Sequence, residues 1–194
     1  MSKLKIIDSG NKNQIQGIIF NNISIDENVR NSVKEIIEDV KHNGDDSLIK
    51  ICNKFDEANF TKGRDLIVSD DEINSAFNKV SENIKKAMQK AFDRIKTYHQ
   101  KQLPKNFEFS DKEGNILGNR WQIIEKIAIY VPSGTAAYPS SVLMSAVPAI
   151  VAGIKDISIF TPSKNGKIDE NILAASKICG INKVYKVCKK TFYG

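Results

Sequence analysis

Lys126-Ile127-Ala128-Ile129-Tyr130-Val131 is a short, mostly apolar run that Pro132-Ser133-Gly134 brings to a stop. A run of that length bounded by turn residues reads as a buried strand. Downstream, Ser140-Ser141 caps an apolar helix that continues through Gly153, and Asp156 to Phe160 forms a second strand ended by Thr161-Pro162. Asp169 to Cys179 reads as a second helix with Gly180 just past its end, and Lys183 to Val187 as a third strand. Strand, helix, strand, helix, strand with short connections predicts a parallel sheet with right-handed crossovers. Seven residues follow Val187, too few for a covering helix, so one sheet face and one edge are expected to be open.

Working back from Lys126, Phe107 to Glu125 contains a turn at Lys112-Glu113-Gly114-Asn115 and predicts a hairpin. Residues 82–102 carry Ile84, Met88, Ala91, Ile95 and His99 along one helix side, and Pro104 ends the run. Ser69-Asp70-Asp71-Glu72 starts a helix reaching about Ser81, because a serine cap followed by acids suits the unpaired amides there. Leu66-Ile67-Val68 reads as a brief strand and Ser47 to Phe55 as a short helix. Val29, Val33, Ile36, Ile37 and Val40 share one face of a helix over 25–41, which Asn43-Gly44-Asp45-Asp46 ends. Gly44 suits a left-handed cap, and Asp45 or Asp46 can cap the next helix. The expected organisation is therefore α/β: a mostly helical segment over 1–125, then a parallel βαβαβ unit over 126–194.

The 194 residues hold 41% apolar and 27% charged side chains, the balance of a folded rather than a disordered chain. The longest apolar candidate, Val142 to Ile154, is too short to span a membrane and contains Pro148. Without a secretory signal at the N-terminus, a cytoplasmic location is expected. Cys52, Cys179 and Cys188 are odd in number and lack Cys-x-x-Cys, so no disulfide is expected, and Cys52 and Cys179 read as small buried residues. The net charge of +6 comes mainly from lysines alternating with acids on helices, which reads as solvated helix faces rather than a nucleic-acid surface.

Ligands of open α/β sheets bind beyond the carboxyl ends of the strands. That directs attention to the loops Tyr130 to Pro139, Thr161 to Lys167, and Cys188 onward. Tyr130 places a ring at a strand end before a rigid turn; it can meet a flat cofactor, or it can simply pack. No Gly-x-Gly-x-x-Gly is present. His42 and His99 lie on different helices without ligand spacing; His42 reads as a helix-end partner and His99 as a helix-face residue. Asp45, Asp46, Asp70 and Asp71 are turn and cap residues by position.

Ile129-Tyr130-Val131-Pro132-Ser133-Gly134, Tyr138-Pro139-Ser140-Ser141-Val142-Leu143-Met144 and Ala146-Val147-Pro148-Ala149 closely resemble the histidinol dehydrogenase signature. Thr161-Pro162, Leu173-Ala174-Ala175, Cys179-Gly180 and Val184-Tyr185-Lys186-Val187 continue the resemblance. Gly44-Asp45, Phe55-Asp56 and the His99-x-x-Gln102 helix end extend it more diffusely toward the N-terminus. The resemblance implies oxidation of L-histidinol through L-histidinaldehyde to L-histidine, with two NAD⁺ and a zinc ion, in an intertwined homodimer. It also implies an incomplete Rossmann-like unit of aldehyde-dehydrogenase-like architecture, with Tyr130 as an NAD contact.

Two departures accompany it. Ser133 stands where the family has the first of two glycines, and Cys188 to Gly194 replaces Gly-Gly-Ala-Gln-Ala, with Thr191 at the glutamine position. The family's Glu-His pair and zinc ligands fall beyond Gly194, so no catalytic and no metal-binding residue is assigned. A truncated or frameshifted chain, inactive alone and aggregation-prone, is the expectation. The alternative is a non-catalytic module that pairs with a separately encoded C-terminal half.

Overall fold

The computed structural model describes residues 10–12, 15–16, 27–133 and 137–188. The three- and four-residue spacing of its apolar side chains makes α1 (Glu27–Asn43) amphipathic, although none of them is fully buried. Gly44, at φ +56°, turns the chain at once into α2 (Asp45–Asp56). Asp45 and Asp46 are not caps; they sit inside the first turn, where their charge complements the unpaired amides.

The expected strand at 66–68 does not form. Gly63–Leu66 winds into one 3-10 turn, and Ile67 makes a single antiparallel bridge to Tyr185. The segment crosses the edge of the sheet once, with Val68 N–H donating to Val184 O at 3.0 Å, and then enters a helix. That helix, α3 (Asp70–Lys79), begins as expected, Ser69 Oγ accepting the Glu72 N–H at 3.1 Å. It ends two residues before Ser81, where Val80 becomes extended. Next come α4 (Glu82–Gln100), β1 (Phe107–Ser110) and β2 (Ile116–Asn119), the last two an antiparallel pair. The hairpin turn is closed by the Asp111 carboxylate, which accepts the Glu113 and Asn115 amides.

Beyond it run β3 (Lys126–Tyr130), α5 (Pro139–Val151), β4 (Asp156–Thr161), α6 (Glu170–Ile178) and β5 (Val184–Lys186). The strands pair in parallel in the order β3-β4-β5. The cap of α5 is Tyr138 rather than Ser140 or Ser141, because Pro139 occupies the first helical turn, where its fixed φ and missing N–H carry no penalty. α5 also stops at Val151, before Gly153. Asp169 Oδ1 caps α6 through the Asn171 N–H at 2.8 Å, and Gly180 follows its end at φ +70°.

Helices α5 and α6 pack side by side against the sheet, and α3 and α4 lie over them. β4 shows the period-two consequence: Ile157, Ile159 and Thr161 are buried, while Asp156, Ser158 and Phe160 are partly exposed. Ile129, Ile159 and Val184 share one core with Ile73 of α3 and Met88 of α4, so this core crosses the 125/126 position. Fully burying an isoleucine contributes about 1.5–3 kcal/mol. On the other face, Ala128 is exposed, and the half-buried Phe160 and Tyr185 rings stack at 4.9 Å.

A second, smaller core joins Ile51 and Cys52 of α2 to Phe60, Leu66 and Cys188. Since Cys188 follows β5, this core seats α2 at the carboxyl end of the sheet. Among the described residues, no helix is long and apolar enough to cross a membrane.

Candidate functional site

Tyr130 is the last residue of β3, half-buried, and its Cα pairs with Phe160, which in turn pairs with Tyr185. In-register neighbours on parallel strands point to the same face, so Tyr130 begins the aromatic row on the face away from the helices. Just after β3, Ser133 forms an isolated bridge with Ala137. Gly134 to Ala136 lie outside the described residues, as do 189–194 and therefore Thr191.

Two of the three loops singled out from the sequence do meet. Ser133, after β3, and residues 162–165, after β4, line a cavity of about 360 Å³ together with Phe55–Glu57 at the end of α2. Tyr130 is not on its wall. The third loop contributes from behind, through buried Cys188. α2 is held in place by its own hydrogen bonds: Asn53 donates to Phe60 O at 2.8 Å and accepts from Phe60 N–H at 2.7 Å. Asn165 N–H donates to Asp56 O at 3.2 Å, tying the end of α2 to the turn after β4.

The chemistry of this cavity centres on Asp56. Burial pushes its carboxyl above the ordinary range, opposed by hydrogen bonds from the Cys188 thiol and the Ser163 amide. Asp56 Oδ2, Thr161 Oγ1 and Ser163 Oγ are buried with no hydrogen-bond partner among the described residues. A buried polar atom without a partner costs about 1–3 kcal/mol, so these three oxygens destabilise the strand end in the free protein. Sequence reasoning missed Asp56 and Ser163 as site residues. Ser163 was covered only as part of the loop after β4, and Asp56 only by the family resemblance at Phe55-Asp56, without a role for either.

The remaining candidates lie elsewhere. His42 is in the last turn of α1, its Nδ1–H donating to Glu38 O at 2.7 Å. His99 is half-buried near the end of α4, edge-on to Tyr98. Among the described residues, no three His, Cys, Asp or Glu side chains gather where they could hold a metal. Cys52 and Cys179 are buried, and burial pushes both thiols up to about 12, so neither is a thiolate nucleophile near neutral pH.

A family model described as histidinol dehydrogenase matches residues 21–189. The chain belongs to the histidinol dehydrogenase family. A histidinol dehydrogenase of Agrobacterium fabrum is 42% identical over 163 residues, covering 84% of this chain and 38% of the relative. One from Hydrogenovibrio crunogenus is 31% identical over 183 residues, covering 94% of this chain and 42% of the relative. The crystal structure of histidinol dehydrogenase from Elizabethkingia anophelis superposes with a TM-score of 0.79 at 35% identity, over 84% of this chain and 37% of that one. The chain thus spans less than half the length of the histidinol dehydrogenases it matches.

Proposed function

We propose that these residues form the NAD-side part of an enzyme that oxidises L-histidinol, through L-histidinaldehyde, to L-histidine in the cytoplasm. The supporting observation is the family match over 21–189, which includes Tyr130 at the end of β3, beside the strand-exit loops where α/β sheets take their ligands. The sheet is then an incomplete Rossmann-like unit of aldehyde-dehydrogenase-like architecture, and the working assembly is a homodimer.

Supporting the fit to NAD, Ser133, Pro162 and Ser163 of the strand-exit loops share a cavity with Phe55 and Asp56. When bound, NAD⁺ supplies the hydride acceptor. This chain's residues bind and orient it: Tyr130 contributes an aromatic contact, and Ser133 lines the cavity. Among the described residues zinc does not fit, because His42 and His99 sit on separate helices and no three His, Cys, Asp or Glu side chains gather together. The 194 residues alone are expected to give no turnover.

A direct test is calorimetric titration of NAD⁺ into the purified 194-residue protein and its Tyr130→Ala variant, with a histidinol-dependent NADH assay alongside. Weak binding lost in the variant, without NADH formation, is the expected result. Absence of any NAD⁺ binding overturns the NAD-side reading, and NADH formation overturns the inactivity.

A second reading, an assembly module pairing with a separately encoded C-terminal half, is favoured by the partly exposed sheet face with Phe160 and Tyr185. Histidinol-dependent NADH formation on mixing with such a half supports it; failure of the two polypeptides to associate removes it.

A further inference from the structure

Two thiols and a carboxyl meet in the smaller core, and neither sulfur takes part in the activity proposed above. Cys52 of α2 and Cys188, just past β5, are both fully buried there. They touch: the Cys188 N–H donates to Cys52 Sγ, while the Cys188 thiol donates to the Asp56 carboxyl. An amide nitrogen is separated from its own sulfur by only Cα and Cβ, so the two sulfurs are near neighbours. Rotation about the Cα–Cβ bond of Cys188 swings its sulfur away from Asp56, and Cys52 Sγ is the sulfur within its reach. A disulfide needs this kind of proximity, with the two backbones already side by side. Asp56 completes the group as proton acceptor, because burial pushes its carboxyl up toward the range of a thiol. Cys179 is the contrast: it is buried in the larger core, apart from both other cysteines.

We propose that Cys52 and Cys188 are a redox pair that a peroxide closes into a disulfide, tying α2 covalently to the end of β5. Cys188 gives its proton to Asp56, and its sulfur attacks one peroxide oxygen, breaking the O–O bond and forming a sulfenic acid. The departing hydroxide takes the proton from Asp56 and leaves as water. Cys52 sulfur then attacks Cys188 Sγ, its own proton leaves with the hydroxyl as a second water, and the S–S bond forms. Two thiols are oxidised and one peroxide is reduced. Neither sulfur is exposed while the core is closed, so the reaction proceeds through opening of the smaller core. That core holds far fewer buried side chains than the larger one, so it opens at lower cost and independently of Cys179.

The experiment exposes the 194-residue protein to hydrogen peroxide over a time course and alkylates the remaining thiols. Tryptic peptides are then mapped by mass spectrometry without reduction. A peptide joining Cys52 to Cys188 is expected to accumulate about tenfold faster than Cys179 loses its alkylation, because the smaller core opens first. Dithiothreitol should dissolve the cross-link and restore three alkylated cysteines. The cross-linked protein is also expected to unfold at higher urea than the reduced protein, since the bond closes a loop of more than a hundred residues. The parent chain carries the whole test, so no variant has to fold. Three cysteines oxidised at similar rates overturn the proposal, because global unfolding then exposes them alike. Three thiols still alkylated after prolonged treatment also overturn it, as does a sulfenic or sulfinic acid that persists on Cys188 without joining Cys52.

Discussion

The sheet with its covering helices and the hairpin that precedes it use similar residues to opposite ends. In α6, the five consecutive residues from Ile172 to Ser176 are buried, because the sheet and α5 and α3 enclose the helix. In β1 and β2 every residue is exposed. The register puts Phe107, Phe109 and Leu117 on one face of the hairpin, and the two phenylalanine rings stack at 6.5 Å. Trp121, Ile123 and Ile124 continue the exposed apolar surface toward β3. The hairpin keeps its shape through polar contacts instead: Asn106 Oδ1 accepts Trp121 N–H at 2.7 Å and Asn119 Oδ1 accepts Phe107 N–H at 3.1 Å. Local pattern selects the element, whereas long-range packing decides whether its apolar face contributes to stability.

The sharpest way to break that comparison is a matched pair of truncations. Ile159→Ala removes a fully buried side chain from the middle of the sheet and is expected to cost about 3–4 kcal/mol in urea unfolding. Ile116→Ala, at a residue 70% exposed, is expected to cost about 0.5 kcal/mol or less. Similar losses at the two sites would mean the hairpin is packed in solution.

Ion pairs offer a smaller version of the same contrast. Lys186 Nζ lies 3.0 Å from Glu72 Oε2 with its side chain only 10% exposed, so Glu72→Gln leaves a largely buried ammonium without its counter-charge. Glu72 is itself a third exposed, so water recovers part of the loss and about 2 kcal/mol is expected. The geometrically similar Lys79–Glu170 pair is far more exposed, and Glu170→Gln should change stability by about 0.5 kcal/mol or less. Equal effects in denaturant titrations would show that burial does not separate the two pairs.

Much of the core was legible from sequence for one reason: it is built from local units. The apolar runs at Lys126–Val131 and 156–160, the Ser69 cap and Gly180 all act within a few residues of themselves, and each stands where it was read. The misreadings share a cause. Leu66-Ile67-Val68 has strand composition, but β5 offers it one bridge rather than a ladder, and only the tertiary position of β5 decides that. At α5 the serines looked like caps, yet Pro139 had already fixed the first turn. The candidate site divides in the same way. Its strand-exit loops followed from topology, whereas Asp56 enters only because α2 folds over Cys188, a contact across more than a hundred residues that no local pattern encodes.

Asp56 carries a smaller expected effect than either buried Ile159 or the Glu72 pair, and one that joins fold and site. Its folded carboxyl titrates above the unfolded one, chiefly through burial, so the native state holds its proton more tightly than the unfolded state does. Stability therefore falls as pH rises through the interval between the two values, and the full penalty applies above the folded one. Asparagine resembles the protonated acid in shape and carries no charge. In the absence of ligand, Asp56→Asn is expected to melt slightly higher than the parent at pH 7.5, by less than about 1 kcal/mol because the residue is only partly buried. The advantage should shrink as pH drops and vanish near pH 3, below the range of an ordinary aspartate. Thermal melts of both proteins across that interval provide the measurement, and an advantage that grows on acidification sinks the argument. The expected pattern gives the ionised carboxylate a cost in the folded protein that the protonated acid does not carry.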